Sequence, residues 1–357
     1  MASGRGCGTA RPAWASTTRR LARRPRAERA PPATPTTGDD MQRRQCLAAL
    51  AALPFAAAMA ADNHKPIQIV VPFGPGGSGD ISARMLAEFL TRKTGRAVVV
   101  DNRPGGNGII GVEAVRNAPA DGSVLLLATT STHLANPSLF RKLPYDPGRD
   151  FRLVGSFGPG STYMLVRPDA PYRTLQDFVA AAKKAPGTIN YGHFNATSKV
   201  TAALFAHEAG IELAAIPYKQ VSQAMSELIA GQIQVVFTDT VAGDAFVASG
   251  QLRALAVHSD ARLKRYPELP LIAESYPGFS IRGGFLGIAV PAATPAALQQ
   301  QLNQWINEAV TTDPIRARLE GFAFAPAKVS LAELASFERQ EREKWKGYVD
   351  IAKLEVQ

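Results

Sequence analysis

Short apolar runs alternate with amphipathic runs along most of this chain, beginning near residue 66. An apolar run of about four to eight residues predicts a buried strand, and apolar positions three or four apart predict a helix with one buried face. In the first part of the chain these patterns predict strands at 67–73, 97–100 and 123–128 and helices at about 80–94 and 108–117. This βαβαβ order predicts a mainly parallel sheet with helices on both faces.

A second series of the same kind follows a break rich in glycine and proline. Gly158, Pro159 and Gly160 come directly after a strand-like stretch at 151–157, and they indicate a hinge. Beyond the hinge the pattern predicts a strand-like segment at 163–166, helix 174–185, strand 188–191, helix 199–209, strand 213–217, helix 221–230, strands 233–237 and 252–257, a return near 280–285, and helices at about 295–310 and 331–349. This order predicts two α/β lobes joined by two chain crossings, with a cleft between them. Lobe 1 would comprise 61–159 and 281–357, and lobe 2 would comprise 160–280.

The first sixty residues differ in composition from the rest of the chain. Residues 1–40 contain eight arginines and three acidic residues without apolar periodicity, which is typical of a segment that builds no core. From Met41 a short basic stretch, a run rich in Leu and Ala, and the tripeptide Ala58-Met59-Ala60 follow in the order of a secretory signal. We therefore expect residues 41–60 to be a signal peptide and Ala61 to be the mature N-terminus.

For the N-terminal sixty residues, two questions stay open and one alternative is disfavoured. Residues 1–40 are interpreted as upstream sequence from a misplaced start codon, although an Arg-rich leader also resembles a transit peptide. The sequence does not separate the general secretion route from the twin-arginine route. A membrane anchor is disfavoured, because the apolar run is about fifteen residues long and a spanning helix needs about 20.

The charge balance argues against a nucleic-acid-binding protein. The chain has 40 basic and 30 acidic residues and a formal net charge of +10, but ten of the basic and three of the acidic residues lie in the first sixty. The remaining 30 basic and 27 acidic residues leave a net charge of +3 and are interspersed, whereas a nucleic-acid site needs a basic patch or stripe. Both cysteines, Cys7 and Cys46, precede the cleavage site, so the mature protein has no disulfide and no cysteine metal site. We expect a soluble, monomeric periplasmic protein without a metal.

The loop after the first strand carries the clearest candidate for binding chemistry. Its glycines have the spacing G-x-G-x-x-G, and Asp101 follows the next strand, as in a dinucleotide-dependent enzyme. The predicted export argues against a nicotinamide cofactor, because free NAD is found in the cytoplasm. The negative charge of Asp80 at the start of the helix would also repel a pyrophosphate. The backbone N–H groups of Gly76, Gly77 and Ser78 suit a carboxylate at the helix N-terminus instead.

Other interpretations compete with an anion-binding loop. The glycines of this loop and of a second loop at 102–108 would also fit tight strand-to-helix turns, with Asp80 as a plain helix N-cap. A hydrolase would need a nucleophile with a base, but the chain has no G-x-S-x-G motif and its five histidines are scattered. The pair His207-Glu208 does not extend to the metal-binding motif H-E-x-x-H. An adhesive or structural module would show repeats or low complexity, and residues 66–357 show neither.

Several short motifs in a fixed order carry a resemblance to a known family. They are VVPFGPGGSGD at 70–80, DNRPGGNG at 101–108, LPYDP at 143–147, IPYK at 216–219, LRALAV at 252–257 and FLGIAVPAATP at 285–295. In these motifs the chain resembles the Bug family, the extracytoplasmic solute receptors of tripartite tricarboxylate transporters. The resemblance spans about 66–350 and implies a two-lobed α/β periplasmic binding protein of type II-like fold that closes on a small organic carboxylate or a related anion. It implies no catalysis and no cofactor, and it implies membrane transporter subunits or a sensory system as partners.

The same resemblance assigns residues to the ligand site. In lobe 1 they are Phe73, Gly76, Gly77, Ser78, Asp80, Thr130, Ser131 and Thr132, and in lobe 2 they are Thr197, Ser198, Tyr218 and Asp239. The chain departs from the family pattern in the loop at 193–201, which adds His193 and Asn195 as candidates, and at Gln220 and Phe285, where the family usually has glycine and tryptophan. His193 is expected either to face solvent or to face the ligand, and in the second case anion affinity would rise as the pH falls. These departures concern the choice of ligand rather than the fold.

Overall fold

In a computed structural model of the chain, the described residues are 65–279, 281 and 284–356. The predicted leader at 1–40 and the predicted signal at 41–60 lie outside these residues. The strands, in chain order, are β1 Ile67–Val71, β2 Val98–Asn102, β3 Val124–Thr129, β4 Phe151–Pro159, β5 Thr162–Val166, β6 Asn190–His193, β7 Ala214–Pro217, β8 Val235–Asp239, β9 Arg253–His258 and β10 Phe285–Pro291. They form two five-stranded sheets, one in the order β2-β1-β3-β10-β4 and one in the order β7-β6-β8-β5-β9.

Helices cover both sheets and connect successive strands. They are α1 Ser78–Thr94, α2 Ile109–Arg116, α3 Asn136–Leu139, α4 Pro147–Asp150, α5 Leu175–Lys184, α6 Ala196–Ala209, α7 Val221–Ile229, α8 Thr240–Ala248, α9 Ile272–Ser275, α10 Ala296–Thr311, α11 Asp313–Gly321 and α12 Leu331–Ile351. A 3₁₀ turn at Gly106–Gly108 precedes α2, and a π-helix at Thr130–Ala135 follows β3. Within the described part of the chain, none of the helices combines the length and the apolar composition that a membrane span requires.

Each sheet contains one strand that runs against the other four. β10 is antiparallel to both β3 and β4, and β5 is antiparallel to both β8 and β9. These are the first strands that the chain forms after it enters each sheet from the other one. The two-lobed α/β class predicted from the sequence is confirmed, with mainly parallel sheets.

The apolar residues that define the strands build the core of each lobe. Ile69 and Leu127 in the first sheet and Val236 and Leu165 in the second are fully buried. Strands that are buried on both faces read as continuous apolar runs in the sequence. For this reason the apolar pattern predicts the ends of most strands to within about two residues.

The two chain crossings between the lobes touch each other. The N–H of Gly160, which follows β4, donates to the carbonyl oxygen of Gly284, which precedes β10, at 2.9 Å. Gly158 has φ +96, and a Cβ at this position would collide with the backbone of Ala325. Glycine is therefore required at Gly158 for two reasons, whereas the hinge itself stays a prediction. The lobe boundaries at 159/160 and 280/281 stay a prediction.

Helix α12 at the C-terminal end packs against both lobes. It contacts β4 and the π-helix on the side of the first sheet and α6 on the side of the second. Trp345 is fully buried in this packing. The helix therefore supports the elements that begin the candidate site on either side of the cleft.

Candidate functional site

A cavity of about 100 Å³ lies between the lobes and is lined from both sides. Five helical elements begin at this cavity: α1 and the π-helix in lobe 1, and α6, α7 and α8 in lobe 2. The lining residues that the sequence predicted are Phe73, Gly77, Ser78, Asp80, Thr130, Ser131, Asn195, Thr197, Ser198 and Asp239. Because the first N–H groups of a helix have no intrahelical partner, this arrangement turns hydrogen-bond donors toward one space.

The loop before α1 is organised by Asp80 in the first turn of that helix. One carboxylate oxygen of Asp80 accepts the N–H of Gly76 at 3.0 Å, and the other lies 2.8 Å from the guanidinium of Arg84 one turn later. Gly77 is the N-cap residue and provides no side-chain cap. The N–H groups of Ser78 and Gly79 in the first turn are therefore available to an anion in the cavity.

The charge of Asp80 is compensated inside the loop. Burial alone would raise the pKa of this carboxyl, but hydrogen bonds from Arg84, Gly76 and Asn102 and the charge of Arg84 outweigh it and hold the pKa below its usual range. Asp80 therefore stays ionised and paired. In the sequence, the negative charge of Asp80 argues against a pyrophosphate ligand. In the structure, the same carboxylate holds the loop before α1 in place.

The π-helix after β3 is capped by its own threonines. The Thr129 side chain accepts the N–H of Thr132 at 3.2 Å, and the Thr132 hydroxyl accepts the N–H of Thr129 at 3.1 Å. The hydroxyl of Thr130 accepts the N–H of Phe285 at 2.6 Å and so fixes the start of β10 at the cavity. Ser131, the next residue, faces lobe 2.

The N-terminus of α6 forms the facing wall. Asn195 is its N-cap residue: the side chain accepts the N–H of Ser198 at 2.8 Å, and the Ser198 hydroxyl accepts the N–H of Asn195 at 3.3 Å. Thr197 lies between them. Its hydroxyl is 2.9 Å from the hydroxyl of Ser131, and its N–H donates to the same Ser131 oxygen at 3.2 Å. The α6 N-terminus is thus hydrogen-bonded directly to the π-helix of lobe 1.

A second polar contact crosses the cleft at Asp239. This residue caps α8, accepts the N–H of Ala242 at 2.9 Å, and accepts the Ser78 hydroxyl at 3.0 Å. Burial raises the pKa of Asp239, against the opposing effect of these hydrogen bonds. Ser78 and Ser131 of lobe 1 thus each contact a polar side chain of lobe 2.

Four predicted site residues do not line the cavity: Gly76, Thr132, His193 and Tyr218. The N–H of Gly76 is bonded to Asp80, and Thr132 is buried as part of the π-helix cap. Tyr218 packs beside Gly192 in the apolar cluster of lobe 2. His193 lies beside Tyr191 with the ring centroids 5.9 Å apart. Burial, together with the charge of Lys199, lowers the pKa of its imidazole to about 4.

Several lining residues were absent from the predicted site. They are Gly74, Gly79, Thr129, Gly160, Thr162, Phe194, Thr201, Lys219, Gln220, Val221, Phe237, Thr238, Gly284, Phe285, Leu286 and Phe324. Lys219, Gln220 and Phe285 lie in or next to motifs that the sequence analysis quoted, so a signal for them existed. Phe324 follows α11 in a segment without a motif, and its approach to the cavity depends on the tertiary fold alone.

The comparison with known proteins identifies the family. Residues 82–354 match the family described as Tripartite tricarboxylate transporter family receptor. The chain belongs to this family. This receptor is 33% identical over 304 residues to Protein BugT of Bordetella pertussis, an alignment that covers 83% of this chain and 92% of that protein. It is 31% identical over 285 residues to a UPF0065 protein in the tcbD-tcbE intergenic region of Pseudomonas sp., with 79% and 84% covered.

Solved structures of similar proteins share the fold of this receptor. The R. palustris protein Rpa4515, solved with adipate, has a TM-score of 0.78 at 27% identity, covering 81% of this chain and 97% of that one. The periplasmic binding protein BugD has a TM-score of 0.77 at 28% identity, covering 82% and 99%. The Bug-family resemblance and the two-lobed fold are confirmed. The relatives support a solute receptor, and nothing in them favours the dinucleotide-dependent enzyme.

Proposed function

We propose that this receptor captures a small organic carboxylate between its lobes in the periplasm and presents it to the membrane subunits of a tripartite tricarboxylate transporter. The observation that carries the proposal is the convergence of α1, the π-helix and α6 on one cavity. The N-terminus of α1 offers N–H donors, and all three N-termini contribute the positive end of a helix dipole, which together favour an anion.

The polar groups at the cavity suit a carboxylate. Hydroxyl groups of Ser78, Thr130, Ser131 and Thr197 lie near the helix N-termini. A carboxylate accepts several such hydrogen bonds at once, and those to a charged acceptor are each worth about 1.5–3 kcal/mol. The related protein Rpa4515 was solved with adipate, which supports a dicarboxylate as the first ligand to test.

Periplasmic location and transport partners extend this proposal beyond the cleft. The secretory pattern at 41–60 supports export, and membership of the receptor family supports a membrane transporter as the partner. A sensory system that uses the same receptor would need the same ligand site. The proposed role of the cleft is therefore independent of which partner receives the ligand.

Two measurements on the purified protein test the proposal. Mass spectrometry of small molecules released on denaturation is expected to detect an organic acid, and calorimetry with that acid is expected to show one site per chain. Thermal unfolding with NADH serves as the comparison. A larger rise in Tm with NADH than with any organic acid, or no binding of any acid, would contradict a carboxylate receptor.

A further inference from the structure

Gln220 makes a contact across the cleft that its position on α7 does not require. It follows β7 and is the N-cap residue of α7, a position where Ser, Thr, Asn and Asp are preferred because their side chains bond to the helix. The Gln220 side chain makes no such cap. It lines the cavity instead and extends to Gly74 on the opposite lobe.

The missing side chain at Gly74 makes room for this contact. A Cβ at Gly74 would lie 2.7 Å from Oε1 of Gln220. The backbone of Gly74 is not in the left-handed region, so its conformation alone does not require glycine. A side chain at Gly74 would therefore have to displace the Gln220 amide, which is the group that fills this space.

The contact lies at the solvent edge of the cavity. Gln220 and Lys219 are both exposed, whereas Thr130 and Ser131 at the inner end of the cavity are buried. The next residue, Val221, approaches the same loop, with its Cγ1 3.8 Å from the place of a Cβ at Gly77. The start of α7 thus covers the loop before α1 at the side where a ligand would extend toward solvent.

We propose that the Gln220–Gly74 contact limits the length of the carboxylate that this receptor accepts. The inference rests on the proposed function and adds a specificity determinant to it. An acid held by the inner helix N-termini meets the Gln220 amide at its far end. A longer acid must displace the amide and lose the contact between the lobes, so Gln220 selects short acids.

Calorimetry with the unbranched dicarboxylates succinate, adipate and suberate tests this length limit. In Gln220→Ala the ratio of suberate affinity to succinate affinity is expected to rise by about tenfold or more relative to wild type, which corresponds to about 1.4 kcal/mol. The matched control is Gln232→Ala, because Gln232 is exposed beyond the other end of the same helix and does not line the cavity. The control is expected to keep the wild-type ratio. An unchanged ratio in Gln220→Ala would overturn the proposal.

A double-mutant cycle in urea unfolding tests the contact without any ligand. Gly74→Ala is expected to change the unfolding midpoint less favourably in wild type, where its Cβ must displace the Gln220 amide, than in Gln220→Ala. Equal effects in both backgrounds would overturn the contact and the length limit with it. If the cycle shows coupling but neither these acids nor any acid released from the purified protein binds, the proposed function fails and not the contact.

Discussion

Asp80 shows how one side chain changes the chemistry of a whole loop. The spacing of the loop's glycines resembles a dinucleotide site, but the family comparison and the partners of Asp80 both favour a solute receptor. Its carboxylate takes the Gly76 N–H and pairs with Arg84, so the loop holds its shape without an external phosphate. The donors that remain for a ligand are the N–H groups of the first turn of α1.

Replacing Asp80 is expected to destabilise the protein and weaken ligand binding together. Asp80→Ala removes the acceptor for Gly76 and the partner of Arg84, and it should lower the free energy of unfolding by about 1.5–3 kcal/mol. Because the pKa of Asp80 is lowered in the folded protein, this contribution is present above the unfolded pKa and is lost as the pH falls through the folded pKa. Urea unfolding at neutral pH measures the loss.

The control for Asp80 is an exposed acid on the same helix. Glu88 pairs with Arg92 in an ion pair whose side chains are 70% and 63% exposed, so Glu88→Ala should change stability by less than about 1 kcal/mol. If both variants lose the same stability, Asp80 does not act as a clamp for the loop.

His133 in the π-helix is expected to make the receptor less stable in acid. Its side chain is fully buried, with Nδ1 3.0 Å from the Thr132 hydroxyl, and burial together with the charge of Arg342 lowers the pKa of the imidazole to about 3. The unfolded chain binds a proton below about pH 6.5 and the folded chain does not, so stability is lost as the pH falls from there toward the folded pKa.

Unfolding free energies at about pH 6 and pH 4.5 test this contribution. His133→Gln is expected to reduce the pH slope by up to about 1.4 kcal/mol per pH unit relative to wild type. His207, which is exposed on α6, provides the control, and His207→Gln should keep the wild-type slope. A wild-type slope in His133→Gln would show that His133 does not stay neutral in the folded protein.

At the residue scale, sequence reasoning reaches the residues whose proposed role depends on the main chain. Gly77 and Ser78 were predicted because a glycine loop that opens a helix exposes N–H groups whatever the rest of the fold does. The same reasoning names Gly76, but hydrogen bonding within the loop holds it outside the cavity lining. His193, named because its loop departs from the family pattern, packs beside Tyr191 instead. Partners of this kind depend on side-chain contacts that a linear pattern does not contain.

Among the elements, α6 links stability and binding through its N-terminus. Asn195→Ala removes the cap of α6 and is expected to cost about 1 kcal/mol of stability. It should also weaken carboxylate binding, because Asn195 and Thr197 both line the cavity. Calorimetry with the identified acid and urea unfolding measure the two effects.

Helix α5 provides a matched control for this prediction. Thr174 caps α5 with the same reciprocal hydrogen bonds, here to Asp177, and it does not line the cavity. Thr174→Ala is expected to lose similar stability and to leave affinity unchanged. Equal loss of affinity in both variants would mean that binding responds to stability in general and not to the α6 N-terminus.

The elements that the sequence missed have identifiable reasons. Helix α8 at Thr240–Ala248 is apolar on most faces and lacks the period that predicts an amphipathic helix. The returning strand β10 occupies Phe285–Pro291 rather than 280–285, because all seven of its residues are buried between β3 and β4. Both errors concern segments whose apolar runs fit more than one structure, so that tertiary packing decides.

At the scale of the whole molecule, we propose that the two lobes hold one carboxylate between opposing helix N-termini. Ser78 and Asp239, and Ser131 and Thr197, already connect the lobes at the cavity, so the walls lie within hydrogen-bond distance of each other. Two-lobed α/β architecture followed from the order of strands and helices. The pairing of specific hydroxyls across the cleft did not, because it depends on how closely the lobes approach.

The location of the identified acid in a crystal structure of the complex is the most direct test of this claim. We expect its carboxylate oxygens within about 2.7–3.2 Å of the N–H of Ser78 or Gly79 in α1, with Ser131 or Thr197 as a further partner. An acid bound on the surface of either lobe, or inside the cavity without a contact to any helix N-terminal N–H, would contradict the account.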